Sequence, residues 1–382
     1  MLIFLFKNML SISEQNKTST NTSRAYLSVS KFKACQEFVT KVQGKKPLFI
    51  LVIGGTETAL IPGLSAAGQN MEQLKLTPAL DSDFLTSKTF DRNKKIPLSP
   101  NNIPSPVILS KAVIDMLELE VCIIDVGTFV KPKVVHIDLN MGPAKSIKTG
   151  SALDPVKTSF LFQKGEKLAS SLTNYPYLVI GECIPGGTTT ALSVLCALGV
   201  NAFDLVNSSF PEGNHFWKNE TVKESLLTHS NLFPQIKKNP MKAVEFFGDP
   251  VQAFICGLLK GIQKFNIPTM LAGGSQMLAI YHLIKLITES ELYGTVVATT
   301  SWIANDKNAK TKYLAELVKA PLMCSTVHFK ESKLQGLYAY EEGHIKEGVG
   351  AGGLMVAANL YKNISQEEII KEIEKIYSQI IL

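Results

Sequence analysis

The sequence carries few charges for its length. Of its 382 residues 19% are charged, and the net charge of +6 comes from lysines scattered along the chain, never gathered into a block. With no recognisable nucleic-acid motif, so mild a balance argues against nucleic acid as a partner and suits an anionic small substrate. Metal-ligating patterns are missing too. The six cysteines (Cys35, Cys122, Cys183, Cys196, Cys256, Cys324) form no C-x-x-C pair and the six histidines no H-x-x-x-H pair, so no metal is expected. Most of the cysteines sit in apolar runs and read as reduced core residues of a cytoplasmic protein. No apolar stretch reaches 18 residues, which leaves no membrane span and predicts a soluble chain. At the start, the apolar run before Lys7 is short, and neither a basic flank nor a small-residue cleavage site accompanies it. A polar Ser/Thr/Asn tract over 11–23 follows, so 1–28 is expected to be a flexible extension and 29–382 a single domain.

What the chain does have is a series of apolar, β-prone runs that end in small residues and give way to helical patterns. Pro47-Leu-Phe-Ile-Leu-Val-Ile53 leads into Gly54-Gly55-Thr56, and Val121-Cys-Ile-Ile124 into Asp125-Val-Gly-Thr128. Tyr177-Leu-Val-Ile180 leads into Gly181, and Pro268-Thr-Met-Leu-Ala272 into Gly273-Gly274-Ser275. Residues 292–300 and 337–340 read as two further strands. Continuous rather than alternating apolar strands imply burial on both faces. The expected fold is α/β: a mostly parallel, doubly wound, Rossmann-like sheet flanked by helices, with a smaller helical lobe from the chain ends. Ligands on such sheets bind beyond the carboxyl ends of the strands, where these glycine-bearing loops gather. Residues 76–106, with five prolines, read as too proline-rich for a helix or central strand, and 207–240 as a second irregular region. Near the end, Ser365 and Glu368 form a capping box ahead of a stripe of Ile369, Ile370, Ile373, Ile376, Tyr377 and Ile380. That helix packs on its own domain or on a second subunit, and a homodimer is expected.

Three motifs carry chemistry. Gly181-Glu-Cys-Ile-Pro-Gly186-Gly187-Thr188 follows the P-loop spacing, but Gly187 stands where the lysine must be, which turns it away from triphosphates. A loop of Gly186, Gly187, Thr188, Thr189 and Thr190 opening a helix suits the single phosphate of a mononucleotide; it also reads as an ordinary strand–helix turn. Glu182 beside it costs energy next to a phosphate unless it has a task. Gly54, Gly55 and Thr56 open a helix in the same manner without the spacing of a dinucleotide site, and no cofactor is expected. In Glu341-Glu-Gly-His-Ile-Lys-Glu347-Gly-Val-Gly-Ala-Gly-Gly-Leu354, Glu347 precedes a glycine run that allows close approach of a ligand. It reads either as a general base or as a carboxylate complementing a helix dipole. Asp125, Gly273, Gly274, Gly348 and Gly350 complete the candidate substrate-binding set, and Cys183 reads as a packed side chain.

These residues resemble a known family. Gly181-Glu-Cys-Ile-Pro-Gly-Gly-Thr-Thr-Thr-Ala is similar to the G-E-M-G-I-G-N-T-T-A signature of nicotinate-nucleotide:dimethylbenzimidazole phosphoribosyltransferases, and Glu347-Gly-Val-Gly-Ala-Gly to their E-G-T-G-A-A. The run from Gly54 to Gly68 looks closer still to a related branch found in cyanobacteria and archaea. The likeness spans roughly residues 35–360. It implies that the phosphoribosyl group of nicotinate mononucleotide passes to an azole or purine base, giving an α-ribazole phosphate for cobamide nucleotide-loop assembly. Glu347 then matches the general base, Glu182 the acid beside ribose and base, and Gly186, Gly187 and Thr188 to Thr190 the phosphate loop. The family's A-D-H-G-V segment has no counterpart here, and its G-N-T-T is Gly187-Thr-Thr-Thr. The acceptor therefore stays open between dimethylbenzimidazole, another azole and adenine. A non-catalytic protein of the same fold, binding a nucleotide or a cobamide precursor, is the other reading.

Overall fold

Eight strands build one sheet: β1 (Tyr26–Ser30), β2 (Leu48–Ile53), β3 (Val121–Asp125), β4 (Ile137–Asp138), β5 (Leu178–Cys183), β6 (Thr269–Ala272), β7 (Thr295–Thr299) and β8 (Leu322–Ser325). They come from a computed structural model, which describes residues 25–87, 96–210 and 213–381. The order is β1-β8-β7-β6-β5-β2-β3-β4, and every pairing is parallel except β1 with β8. The chain winds outward from β2 to β4, returns to lay β5 beside β2, and then winds the other way to β8. The switch point lies between β2 and β5, whose registers pair Val52 with Glu182 and Ile53 with Cys183. A crevice opens beyond strand ends at such a point, because the connections leave in opposite directions.

Helices cover both faces, so the central strands are apolar on each. Leu48, Ile50, Val52, Leu178, Ile180 and Leu271 face one core; Phe49, Leu51, Ile53, Val179, Met270 and Ala298 face the other. The longer helices are α1 (Phe32–Val42), α2 (Met71–Leu85), α3 (Val107–Leu117), α4 (Pro155–Leu168), α5 (Gly187–Ala197), α6 (His215–Thr228), α7 (Pro250–Phe265), α8 (Ser275–Thr288), α9 (Ala351–Lys362) and α10 (Gln366–Ile381). The capping box of α10 forms as the sequence implies: Glu368 N–H donates to Ser365 Oγ (3.2 Å) and Ser365 N–H to Glu368 Oε2 (2.9 Å). Its stripe of Ile369, Ile373, Ile376 and Tyr377 is buried in the core shared with α1, α3 and α9. At roughly 1.5–3 kcal/mol per buried aliphatic side chain, that burial anchors the helix to its own domain. The face that suggested a second subunit is thus covered by the chain itself.

Four expectations need correction. Residues 1–24 lie outside the described residues, but 26–28, assigned to the extension, pair with β8 in β1. Residues 71–85 form α2 straight through Pro78. Asn70 caps it by accepting from Gln73 N–H (3.0 Å), and burial of Leu74, Phe84 and Leu85 outweighs the hydrogen bond that Pro78 forfeits. Residues 215–228 form α6, whose buried face includes Lys218, Asn219 and Ser225 and therefore shows no apolar period. Residues 335–338 are a short helix rather than a strand. All six cysteines are free thiols, four of them buried. No helix among the described residues is long and apolar enough to cross a membrane.

Candidate active site

The residues following β5 turn sharply into α5. Gly186 takes the left-handed conformation (φ 84°) as the N-cap, a position where a side chain would also press on Ala59 at about 3.0 Å. The positive dipole end of α5 therefore lies at the switch point; of its first N–H groups, Gly187 donates to Ile184 O (3.0 Å) and Thr189 to Gly186 O (2.9 Å). From the other side comes the segment carrying Glu347, tied to β5 by Val349 N–H donating to Glu182 O (3.1 Å). Glu182, Gly186, Gly187, Thr188, Glu347 and Gly348 line one cavity of about 130 Å³. That volume is close to the roughly 150 Å³ that accepts a single benzene-sized ring. The two glutamates, 165 positions apart in sequence, meet here.

Glu347 is held rigidly. Its Oε2 accepts from Thr299 Oγ1 (3.0 Å) and Thr300 N–H (2.9 Å), its Oε1 from Gly348 N–H (3.1 Å) and Gly352 N–H (3.2 Å). The close approach of α9 to the end of β7 makes this possible, because a Cβ on Gly352 would lie 2.1 Å from the Thr299 carbonyl carbon. Burial pushes the Glu347 carboxyl up to about 7 against the pull of these four donors. Backbone strain marks the same segment: Ile345 (φ 57°), Lys346 (φ 42°) and Val349 (φ 53°) are left-handed, and two of them are β-branched. Such residues persist only where the surrounding structure over-determines them, and they cluster at ligand sites.

Glu182 is half-buried, and its Oε2 accepts from Ile184 N–H (3.0 Å). Burial, then the nearby Asp249 and Glu347 carboxylates, push it up to about 8. An acid so placed is neutral in an empty site and ionises once a cation sits beside it.

The other predicted residues lie elsewhere. Thr189 and Thr190 are fully buried; Thr190 Oγ1 donates to Asp249 Oδ2 (2.5 Å), so only Thr188 of the three hydroxyls faces the cavity. Gly54 packs on Val251 and Ile184, Gly55 on Phe129, and Thr56 caps the short helix Glu57–Leu60, whose Ala59 lies against Gly186. Asp125 is buried, accepting from Gly127 N–H, Thr128 N–H and Thr128 Oγ1 and pairing with Lys131, which ties down its own loop. Gly273 packs on Met277, Gly274 lies beside Thr299 and Asn207, and Gly350 caps α9 against Phe49. The glycines at 348, 350 and 353 have dinucleotide-loop spacing, but they follow turns instead of a strand and do not make that fingerprint.

Two residues escaped the sequence reading. Lys218 of α6 is fully buried and donates to Asn207 O (2.6 Å) and Thr188 Oγ1 (3.2 Å), placing a cation behind the loop that lacks its own lysine. Burial, then the Lys346 ammonium, lower its amine to about 7. Asp81 of α2 lies on the cavity wall with Cys183, whose thiol donates to Asp81 Oδ2 (3.2 Å). No spacing in the sequence links either one to the loop. Among the described residues no group of three His, Cys, Asp or Glu side chains is placed to hold a metal ion.

No protein-family model matches the chain. In fold it is similar to a nicotinate-nucleotide–dimethylbenzimidazole phosphoribosyltransferase from Thermus thermophilus, with a TM-score of 0.56 and 15% identity over 89% of this chain and 94% of that one. In sequence it is 38% identical to a UPF0284 protein of Trichodesmium erythraeum over 91% of this chain and 96% of the relative. It is 36% identical to a UPF0284 protein of Sulfolobus acidocaldarius over 90% and 99%. Cyanobacterial and archaeal relatives on this fold are those the Gly54 motif implied, and the chain belongs to the UPF0284 family.

Proposed function

We propose that the protein is a phosphoribosyltransferase that moves the phosphoribosyl group of nicotinate mononucleotide to a ring nitrogen of an azole or purine base. The observation that carries this reading is Glu347, a rigidly held carboxyl pushed up to about 7, on a cavity shared with Glu182 and the N-terminus of α5. The 5′-phosphate sits at Gly186, Gly187 and Thr188, with the Lys218 charge behind Thr188. The pyridinium nitrogen of the donor is positive, and that charge ionises Glu182 and is stabilised by it. As the bond from C1′ to nicotinate breaks, its electron pair returns to the pyridine nitrogen. The acceptor nitrogen forms the new bond to C1′, and the proton on its second ring nitrogen passes to Glu347. A base near pH 7 matches that task. The test is incubation with nicotinate mononucleotide and a panel of azoles and purines, following free nicotinate and ribosylated product by chromatography. Mononucleotide binding without nicotinate release from any acceptor would leave a binding protein, and no binding would remove the site.

A further inference from the structure

Asp81 is 1% exposed; the Cys183 thiol and the Ser105 hydroxyl both bear on its carboxyl, but its Oδ1 meets no hydrogen-bond partner. A buried carboxyl oxygen left unpaired costs on the order of 1–3 kcal/mol. The cavity wall around it is made by Thr77, Ser105, Pro106 and Cys183. Asp81 and Glu347 line the same cavity. In the arrangement proposed below, a flat base meets Glu347 with its reacting edge and Asp81 with its far edge. Two methyl groups there would leave Oδ1 unpaired, whereas an amino group would satisfy it.

Resting on the phosphoribosyl-transfer reading, we propose that Asp81 selects the acceptor: a base carrying a hydrogen-bond donor, such as an exocyclic amine, on the edge away from the reacting ring nitrogen. Aminopurines and amino-substituted benzimidazoles meet that demand, and dimethylbenzimidazole does not. The selection resembles that of any site with a buried polar group, which rejects an analogue lacking the matching partner far more strongly than a hydrophobic pocket rejects an extra methyl.

The test compares 5-aminobenzimidazole with 5-methylbenzimidazole, which share one nucleophilic ring and differ only at the far edge. The full-length protein receives nicotinate mononucleotide and both bases at equal concentration, and the two products are quantified. The expected ratio favours the amino base by about tenfold or more; Asp81→Leu brings it to one or below, and Asp81→Asn, which keeps an acceptor, retains the preference. A ratio near one in the parent protein overturns the proposal, as does a ratio that Asp81→Leu leaves unchanged. If Asp81→Leu does not fold, the parent ratio decides. Nicotinate release from no base at all would refute the transfer reading instead. Calorimetric binding of the two bases would then decide for Asp81, since equal affinities overturn its role and a preference for the amino base upholds it.

Discussion

Replacing Glu347 with glutamine separates the two tasks a carboxyl can have here. Each Glu347 oxygen accepts two hydrogen bonds, one pair from Thr299 and Thr300 and the other from Gly348 and Gly352. A glutamine NH₂ must face one of these pairs. Against Gly348 and Gly352 it meets two backbone N–H donors; against β7 the Thr299 hydroxyl can rotate to accept, but Thr300 N–H cannot. At least one donor therefore loses its partner, at a cost of about 1–3 kcal/mol. Glutamine also removes a carboxyl whose ionised form is disfavoured by burial, which offsets part of that cost near neutral pH. The variant is expected to fold and to bind nicotinate mononucleotide within about tenfold of the parent, a change of no more than roughly 1.4 kcal/mol. Turnover should fall about 10²–10⁴-fold, the usual contribution of a general base. That corresponds to roughly 3–5 kcal/mol of barrier. Parent turnover should also rise with pH through about 7, as the carboxyl loses its proton, and the variant should lack that rise. Nicotinate release measures turnover, and calorimetry measures binding. A variant keeping more than about a tenth of parent turnover would refute the base assignment. Loss of binding equal to the loss of rate would make Glu347 a binding group instead.

Lys218→Met should weaken nicotinate mononucleotide binding about 10–100-fold, since charged hydrogen bonds are worth roughly 1.5–3 kcal/mol. An amine lowered to about 7 must be protonated to hold a phosphate, so parent affinity should drop above pH 7 while the variant's stays flat by calorimetry. Glu182, raised from 4.5 to about 8, makes the folded chain bind more protons than the unfolded one between those values, so stability falls as pH rises through that window. Glu182→Gln should therefore raise the melting temperature at pH 8 by about 1–2 °C, the effect of roughly 1 kcal/mol on a chain of this length, and do little at pH 5. Identical melting curves at pH 8 would reject that account. Gly352→Ala puts a Cβ 2.1 Å from Thr299 C and 2.3 Å from Thr300 N, both backbone atoms. Urea unfolding should show about 1–3 kcal/mol lost, and turnover should fall with it as the Glu347 hydrogen bonds come apart.

Much of the fold was legible because it rests on local rules. Continuous apolar runs such as 48–53 and 178–180 become central strands buried on both faces, and Ser365 with Glu368 writes the start of α10 in two residues. The two glutamate motifs were legible for a similar reason, each being a loop between strand and helix or a glycine run before one. What failed did so where tertiary burial overrides a local signal. Pro78 inside α2 and the polar buried face of α6 both hide helices, and those same helices carry Asp81 and Lys218. The coincidence has a physical cause. A helix that must place a carboxyl or an ammonium into the interior cannot also display a clean apolar stripe, so the elements that complete a site are the ones whose pattern is least helix-like. Loop motifs thus point to the cavity that Glu182 and Glu347 share. The side chains proposed to recognise the phosphate and the acceptor come from helices 30 or more positions distant from the loop, and only packing discloses them.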